Sequence, residues 1–350
     1  MKKQWRCGVV GMGVIGEWHA RVIPRIEGCT LAAVCDVIPG RCEEKLAKLE
    51  ITGPNVYTDI ESMLAREKLD VVHICTPSGN HLEPAVAAMN AGVNVICEKP
   101  MEITEQRIDQ MIETARQNNV RLAGIFQNRW HAANRAIRDA IEQGRFGTIA
   151  YAGCFTPWYR TDQYYRDGGW RGTWRLDGGG AMMNQAIHQV DMLQWFAGPV
   201  KQVSAYASSR IHSEIEVEDT LVCALVFESG AYGTIMGSTA MFPGQPVRIE
   251  VGGEHGSAVM EAGLKVFKFR DESDADKQTI EQANTSGNTG GMSQVDLGVE
   301  LHRRNIIHIL ESWERNQDAT TAGPEARKAV AIIRAMYESA KQNGAPVHLR

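Results

Sequence analysis

Three glycines and an aspartate offer the first chemistry in this chain. Gly11, Gly13 and Gly16 stand in Val9-Val10-Gly11-Met12-Gly13-Val14-Ile15-Gly16, and Asp36 follows twenty residues beyond Gly16. Between a strand and a helix, such spacing suits a dinucleotide. The first glycine permits the tight turn, the second lets backbone approach a pyrophosphate, and the third lets helix and strand pack closely. The helix start at Gly13, Val14 and Ile15 would then turn free amides and a partial positive charge toward the phosphates. Asp36 can accept two hydrogen bonds from an adenosine ribose diol and would repel a 2′-phosphate carrying about −1.5 to −2 charges, so NAD is expected over NADP. A plainer role for Asp36 is to cap a helix beginning near Pro39. Arg41 could flank the adenine or neutralise a phosphate, which leaves NADP open as the lesser choice.

The second candidate chemistry lies in Thr76-Pro77-Ser78-Gly79-Asn80-His81 and Glu98-Lys99-Pro100, each at the end of a short apolar run. In a doubly wound sheet the carboxyl ends of strands face the ligand, so Thr76, Pro77, His81, Glu98 and Lys99 are expected to border the cofactor. Proline disfavours the α region for the residue before it, which keeps Lys99 extended and its ammonium projected. The alternative for Lys99 is a solvated surface charge.

The elements that must position these groups follow from periodicity. Apolar runs at 7–10, 31–35, 71–75, 93–97 and 120–126 alternate with amphipathic stretches at 17–26, 39–49, 59–67, 81–91 and 105–118. Strands apolar on both faces belong to a parallel sheet covered by helices, so residues 1–125 are expected to form a Rossmann domain. Residues 126–350 read as a second α/β domain. It holds a helix at 132–143, a strand from 151, and a helix over 180–196. Alternating, half-buried antiparallel strands follow at 200–207, 220–227, 231–241, 247–251, 256–260 and 265–269. Residues 271–294 predict a long exposed loop. Helices over 296–316 and 323–343 close the chain, the last assigned to the second domain or packed back on the first.

Composition limits the partners. With 43% hydrophobic and 23% charged residues, the chain is globular rather than disordered. No run approaches 18 uninterrupted apolar residues, and the start lacks a signal-peptide pattern, so a cytoplasmic protein without a membrane partner is expected. The balance of 37 basic against 42 acidic residues, with no long basic run, argues against nucleic acid. Eight cysteines include no C-x-x-C pair and no zinc spacing with histidine, so neither disulfides nor a metal is indicated. Seven aromatics from Phe155 to Trp174 interleave with Arg160, Arg166, Arg171 and Arg175. Such a stretch suits sugar faces and anionic groups, with Trp170 expected among the substrate contacts. It equally suits a loop buried against a partner subunit. Gln127-Asn128-Arg129 ends the sixth strand run, which makes Arg129 a further expected substrate contact.

In this order and spacing, the glycine fingerprint with Asp36, T-P-x-x-x-H, Glu98-Lys99-Pro100, and Gly178-Gly179-Gly180 followed by His188 and Asp191 resemble the glucose-fructose oxidoreductase and inositol dehydrogenase family (Gfo/Idh/MocA). Glu218-Asp219-Thr220 and the closing helix match as well. The resemblance implies a second domain with a large open sheet that commonly mediates oligomers, here a homodimer or homotetramer. It also implies NAD(P)-dependent oxidation of a hydroxyl on a sugar, glycoside, nucleotide sugar or cyclitol. By motif, Lys99 is the family lysine and His188 the family's catalytic histidine. Many members carry aspartate four residues before that histidine, where this chain has Asn184. Met183-Asn184-Gln185-Ala186-Ile187-His188 resembles the nucleotide-sugar and glycoside 3-dehydrogenase subgroup, in which Asn-Gln occurs. On an α-helix, residues 184, 188 and 191 would share a face, placing Asn184 and Asp191 beside substrate, Asp191 mainly as an orienting group.

Loss of hydride from an alcohol carbon requires loss of the hydroxyl proton. Imidazole ordinarily titrates near 6.5 and suits a general base, whereas lysine would have to fall by about three units from about 10.4. His188 is therefore expected to accept the proton and Lys99 to stabilise the developing alkoxide, an assignment that a nearby cationic nicotinamide could reverse. Two other activities use the same parts: a glycosidase that recycles its NAD, and a non-catalytic dinucleotide sensor.

Overall fold

The computed structural model describes residues 3–287 and 294–349. By contacts it separates into two compact units, Met1–Gln127 with Val295–Arg327, and Asn128–Gln294 with Lys328–Arg350. The first unit opens with β1 (Trp5–Val10), α1 (Val14–Val22), β2 (Cys29–Cys35), α2 (Arg41–Lys48), β3 (Asn55–Tyr57) and α3 (Ile60–Arg66). It continues through β4 (Val71–Ile74), α4 (Leu82–Asn90), β5 (Asn94–Cys97), α5 (Glu105–Gln117) and β6 (Leu122–Gly124). All neighbouring strands run parallel, in the order β3-β2-β1-β4-β5-β6. That order reverses between β1 and β4, so their carboxyl ends, with the glycine loop and Thr76, meet at the switch point of a Rossmann fold. Every residue of β4 is buried, as helices on both faces require. Helix starts are fixed locally: Asp59 accepts the Ser62 amide at 2.7 Å, and Thr104 the Arg107 amide at 3.4 Å.

The second unit contains α6 (Ala132–Glu142), β7 (Ile149–Pro157), α7 (Asp162–Arg166) and α8 (Ile187–Ala197), the last entered through a π turn over Ala181–Ala186. It continues with β8 (Val200–Ser208), β9 (Thr220–Phe227), β10 (Tyr232–Ser238), β11 (Arg248–Gly253), β12 (Gly256–Glu261), β13 (Leu264–Phe269) and α9 (Asp274–Gly287). Along β9, Leu221, Cys223, Leu225 and Phe227 are buried while Val222 and Ala224 are exposed, the alternation of a sheet covered on one face. The eight-stranded sheet runs β13-β12-β11-β7-β10-β9-β8-β14, where β14 is Val347–His348. It is the mostly antiparallel sheet expected, with one parallel pairing, that of β7 with β10.

Helices α10 (Gln294–Glu314) and α11 (Gly323–Lys341) close the chain. Val299, Ile306, Ile309 and Leu310 of α10 join Trp5, Val9 and Val34 in one hydrophobic cluster, so α10 belongs to the first unit and not to an unbroken second domain of 126–350. Helix α11 begins in the first unit, where Arg327 forks onto Asp109 at 2.6 and 3.0 Å, and its later residues belong to the second. The loop expected over 271–294 is another departure. Asp274–Gly287 is helical, anchored by Asp276 against Arg145 at 2.6 and 2.9 Å and by Asn284 on the Leu264 amide at 2.7 Å, while 288–293 lie outside the described residues. No helix among the described residues is long and apolar enough to cross a membrane.

Ile309 is fully buried, so Ile309→Ala should cost about 2–5 kcal/mol. Urea unfolding followed by tryptophan fluorescence reads this, since Trp5 and Trp313 lie in the same cluster. An unchanged midpoint would remove α10 from that core.

Candidate functional site

The glycine loop is built for close approach. Gly11 has φ +91°, and a Cβ there would lie 2.7 Å from the Cys75 carbonyl and the Thr76 amide; at Gly16 it would lie 2.0 Å from the Gly11 oxygen. At Gly13 a Cβ would meet nothing within 4 Å, so that side of the loop is open. Val14 is exposed and Ile15 half-buried at the start of α1. Asp36 is 5% exposed and does not cap α2, whose N-cap is Gly40. Instead it accepts the amides of Met12 at 2.8 Å and Ile38 at 2.9 Å, with Arg41 Nη1 3.2 Å from both oxygens. A carboxylate tied to the loop, a gap without side chains and a helix start beside it fit a dinucleotide.

At the neighbouring strand ends Thr76, Pro77 and Lys99 are half-buried, but two expected cofactor contacts turn inward. His81 is 1% exposed and braces the two ends, Nε2 facing the Thr76 carbonyl at 2.8 Å and Nδ1 the Pro100 carbonyl at 2.9 Å. Burial lowers its pKa against the pull of those carbonyls. Glu98 is 3% exposed; its Oε1 lies 2.8 Å from His19 Nε2 and 3.3 Å from His302 Nε2, and its Oε2 accepts the Lys99 amide at 3.2 Å. His81 and Glu98 therefore support the edge from behind. The atoms of His19, Glu98 and His302 lie within 4.8 Å of one another and are of kinds that can hold a metal, and His19 Nε2 and Glu98 Oε1 are at hydrogen-bond distance, 2.8 Å. His19 follows Gly16 by three residues and was legible in principle; nothing local marks His73 or His302.

In the second unit the π turn changes the expected alignment. Asn184 lies within it and so leaves the regular helical face on which His188 and Asp191 stand three residues apart in α8. Asp191 is fully buried and pairs with Arg129, itself 2% exposed, through Nε–Oδ2 at 2.8 Å and Nη2–Oδ1 at 2.5 Å. Both side chains are buried in this pair, which gives Asp191 an orienting place beside Arg129. Asn184 donates to Asp177, a buried residue that spacing did not single out, and accepts from Gln185 at 3.2 Å. Gln185 also donates to the Tyr164 hydroxyl at 2.7 Å and accepts from Arg160 at 3.0 Å, linking the aromatic, arginine-rich segment to the residues before His188. Arg171 lies over the rings of Tyr164 and Trp170, 4.6 and 5.3 Å from their centroids, and Trp170 is half-buried. His188 itself is 8% exposed.

One buried residue starts this segment. Glu218 accepts the Gly180 amide at 2.9 Å and the Met182 amide at 2.8 Å through its carboxylate, and the Ala181 amide at 3.0 Å through its backbone oxygen. The Tyr337 hydroxyl donates to the same carboxylate at 3.0 Å. The glycines make room: a Cβ on Gly180 would lie 1.8 Å from the Glu218 oxygen, and one on Gly179 2.1 Å from the Tyr337 hydroxyl oxygen. Burial pushes the Glu218 carboxyl from 4.5 up to about 7, against the pull of its donors. The folded chain then holds this proton more tightly than the unfolded chain, so stability falls as pH rises between those values. Urea midpoints from pH 5 to 8 should fall less steeply in Glu218→Gln than in the wild type. Parallel slopes would show that Glu218 does not titrate there.

Residues 5–126 match the oxidoreductase family, NAD-binding Rossmann fold, and residues 134–259 match the GFO/IDH/MocA C-terminal domain. Myo-inositol 2-dehydrogenase of Thermotoga maritima is 30% identical over 257 residues, covering 72% of this chain and 73% of that protein. D-glucoside 3-dehydrogenase of Escherichia coli is 29% identical over 251 residues, covering 64% and 67%. The crystal structure of the WlbA dehydrogenase from Bordetella pertussis in complex with NADH and UDP-GlcNAcA superposes with a TM-score of 0.92 at 31% identity, covering 100% of this chain and 99% of that one. With both its N-terminal and C-terminal domains matched, the chain belongs to the GFO/IDH/MocA family of NAD-binding oxidoreductases.

Proposed function

We propose that the protein is an NAD-dependent dehydrogenase of a secondary hydroxyl, at C3 of a nucleotide sugar or related glycoside, with cyclitols as the wider class. The observation that carries this is the hydrogen-bonded run Asp177–Asn184–Gln185–Arg160, which joins the arginine- and aromatic-rich segment to the turn before His188. Arginine forks suit phosphate and carboxylate, and aromatic rings suit sugar faces. Similarity along the whole chain to WlbA, solved with UDP-GlcNAcA, and over 64% of the chain to a D-glucoside 3-dehydrogenase supports the same class.

The row of amides at Gly13, Val14 and Ile15, with Asp36 and Arg41, would hold the dinucleotide, and the strand-end residues Thr76, Pro77 and Lys99 would border it. Bound NAD supplies the hydride acceptor. His188 accepts the hydroxyl proton, and the Lys99 ammonium stabilises the developing alkoxide. Asn184, fixed by Asp177, orients the sugar by hydrogen bonding, and Trp170 offers it a ring face. Eight free cysteines suit a reducing compartment, which supports the cytoplasm. Self-association as a homodimer or homotetramer is assigned to the outer face of the large sheet, where Tyr206, Val222 and Tyr232 are 61%, 46% and 68% exposed on adjoining strands β8, β9 and β10.

Mixing the protein with NAD and a panel of nucleotide sugars, glycosides, free sugars and cyclitols should accumulate NADH with at least one. Glycoside cleavage without net NADH would replace this reading with a hydride-recycling glycosidase. His188→Ala should cut turnover by about 10²- to 10⁴-fold while leaving NAD affinity nearly unchanged. Equal loss of NAD binding would mean His188 has another role. In light scattering, Tyr206→Glu with Tyr232→Glu should lower the mass to the monomer's 38.7 kDa; a wild-type chain already at that mass would refute the sheet interface.

A further inference from the structure

Behind the end of β5 the first unit buries three side chains of metal-binding type that cofactor binding and proton transfer leave unused. His19 on α1, Glu98 directly after β5 and His302 on α10 are 1%, 3% and 2% exposed. One ligand atom from each lies within 4.8 Å of the other two. Glu98 Oε1 stands 2.8 Å from His19 Nε2 and 3.3 Å from His302 Nε2.

The protons on the two rings leave lone pairs for this cluster. His302 Nδ1 lies 2.8 Å from the Gly298 carbonyl, which can only accept, so Nδ1 carries the ring proton. His302 Nε2 is buried and makes no hydrogen bond, although it lies 3.3 Å from Glu98 Oε1. A proton on Nε2 would therefore have no aligned acceptor. A bare lone pair there faces a carboxylate oxygen out of water, which is costly unless a positive charge stands between them. His19 meets the same oxygen, and its Nδ1 shares one proton with His73 Nδ1 at 2.9 Å. With that proton on His19, its Nε2 also turns a lone pair to the cluster. Ligating histidines are ordinarily held in this way, the other ring nitrogen donating to a carbonyl or similar acceptor.

Spacing and donor type name the ion. Ligand atoms about 2.05 Å from zinc stand about 2.9 Å apart at a right angle and about 3.3 Å apart at the tetrahedral angle. The two spacings from Glu98 fall at those values. Imidazole nitrogens with a single carboxylate suit zinc, whereas magnesium and calcium take oxygen ligands.

We propose that His19, Glu98 and His302 form a site for a zinc ion, which ties α1 and α10 to the end of β5. Burial of all three side chains makes the site structural: it holds the first unit together and takes no part in hydride transfer. It stands whichever substrate the protein turns over.

The test loads the full chain with zinc sulfate, removes unbound metal by desalting and counts zinc by plasma mass spectrometry. The wild type should retain about one zinc per chain, and His302→Gln and His19→Gln each about tenfold less, because each lacks one of three ligands. Zinc should raise the thermal midpoint of the wild type and leave both variants unmoved. X-ray absorption of the zinc-loaded wild type reads the coordination shell directly, and should show imidazole nitrogen and carboxylate oxygen without sulfur. No retained zinc, undiminished retention in both variants, or a shell containing cysteine sulfur overturns the site. Should the variants fail to fold, the zinc count and the absorption spectrum of the wild type still decide.

Discussion

A carboxylate taken out of water must be met by donors, and that requirement organises both units. Asp36, Glu98, Asp191 and Glu218 are each 5% exposed or less, and each joins pieces of chain that are distant in sequence. Asp36 ties the end of β2 to the glycine loop. Glu98 gathers histidines from α1 and α10 behind Lys99. Asp191 fixes the start of the second unit through Arg129, and Glu218 opens the segment that carries His188. Leaving Asp36, Glu98 or Asp191 without its partners would bury an uncompensated charge, and leaving Glu218 without its donors would bury an unsatisfied acid; either costs more than the pairing itself contributes.

Much of the first unit was legible because its signals are local. Glycine spacing, apolar strands and the acid after β2 all act within about forty residues, and backbone sterics at Gly11 and Gly16 leave few alternatives. The same locality misled at His81 and Glu98. Position at a strand end says which edge a residue occupies, not whether its side chain faces the ligand or the core. Arg129 and Asp191 are 62 residues apart in sequence, and their pairing has no signature in spacing.

Composition misled in a different way at 271–294. Asp, Ser, Asn and Gln read as loop because they compete with backbone hydrogen bonding, yet Arg145 and the Leu264 backbone satisfy Asp276 and Asn284 and stabilise α9. Helix α10 was found by its period, but its membership was not, since periodicity shows that a face is apolar without naming what covers it. The alternation along β9 likewise predicted a sheet covered on one side, whereas the parallel pairing of β7 with β10 depends on a long connection that no local pattern records.

The wide winding over Ala181–Ala186 has a consequence for how this region can vary. Each residue of an α-helix advances the chain by about 100°, so deleting one residue between Gly180 and Ile187 would restore regular coiling and swing the preceding side chains around the axis by about that angle. Asn184 would then leave Asp177, and the arginine-bearing segment would lose its link through Gln185. Diversification here should therefore proceed by exchanging side chains at constant length, with insertions and deletions confined to loops elsewhere.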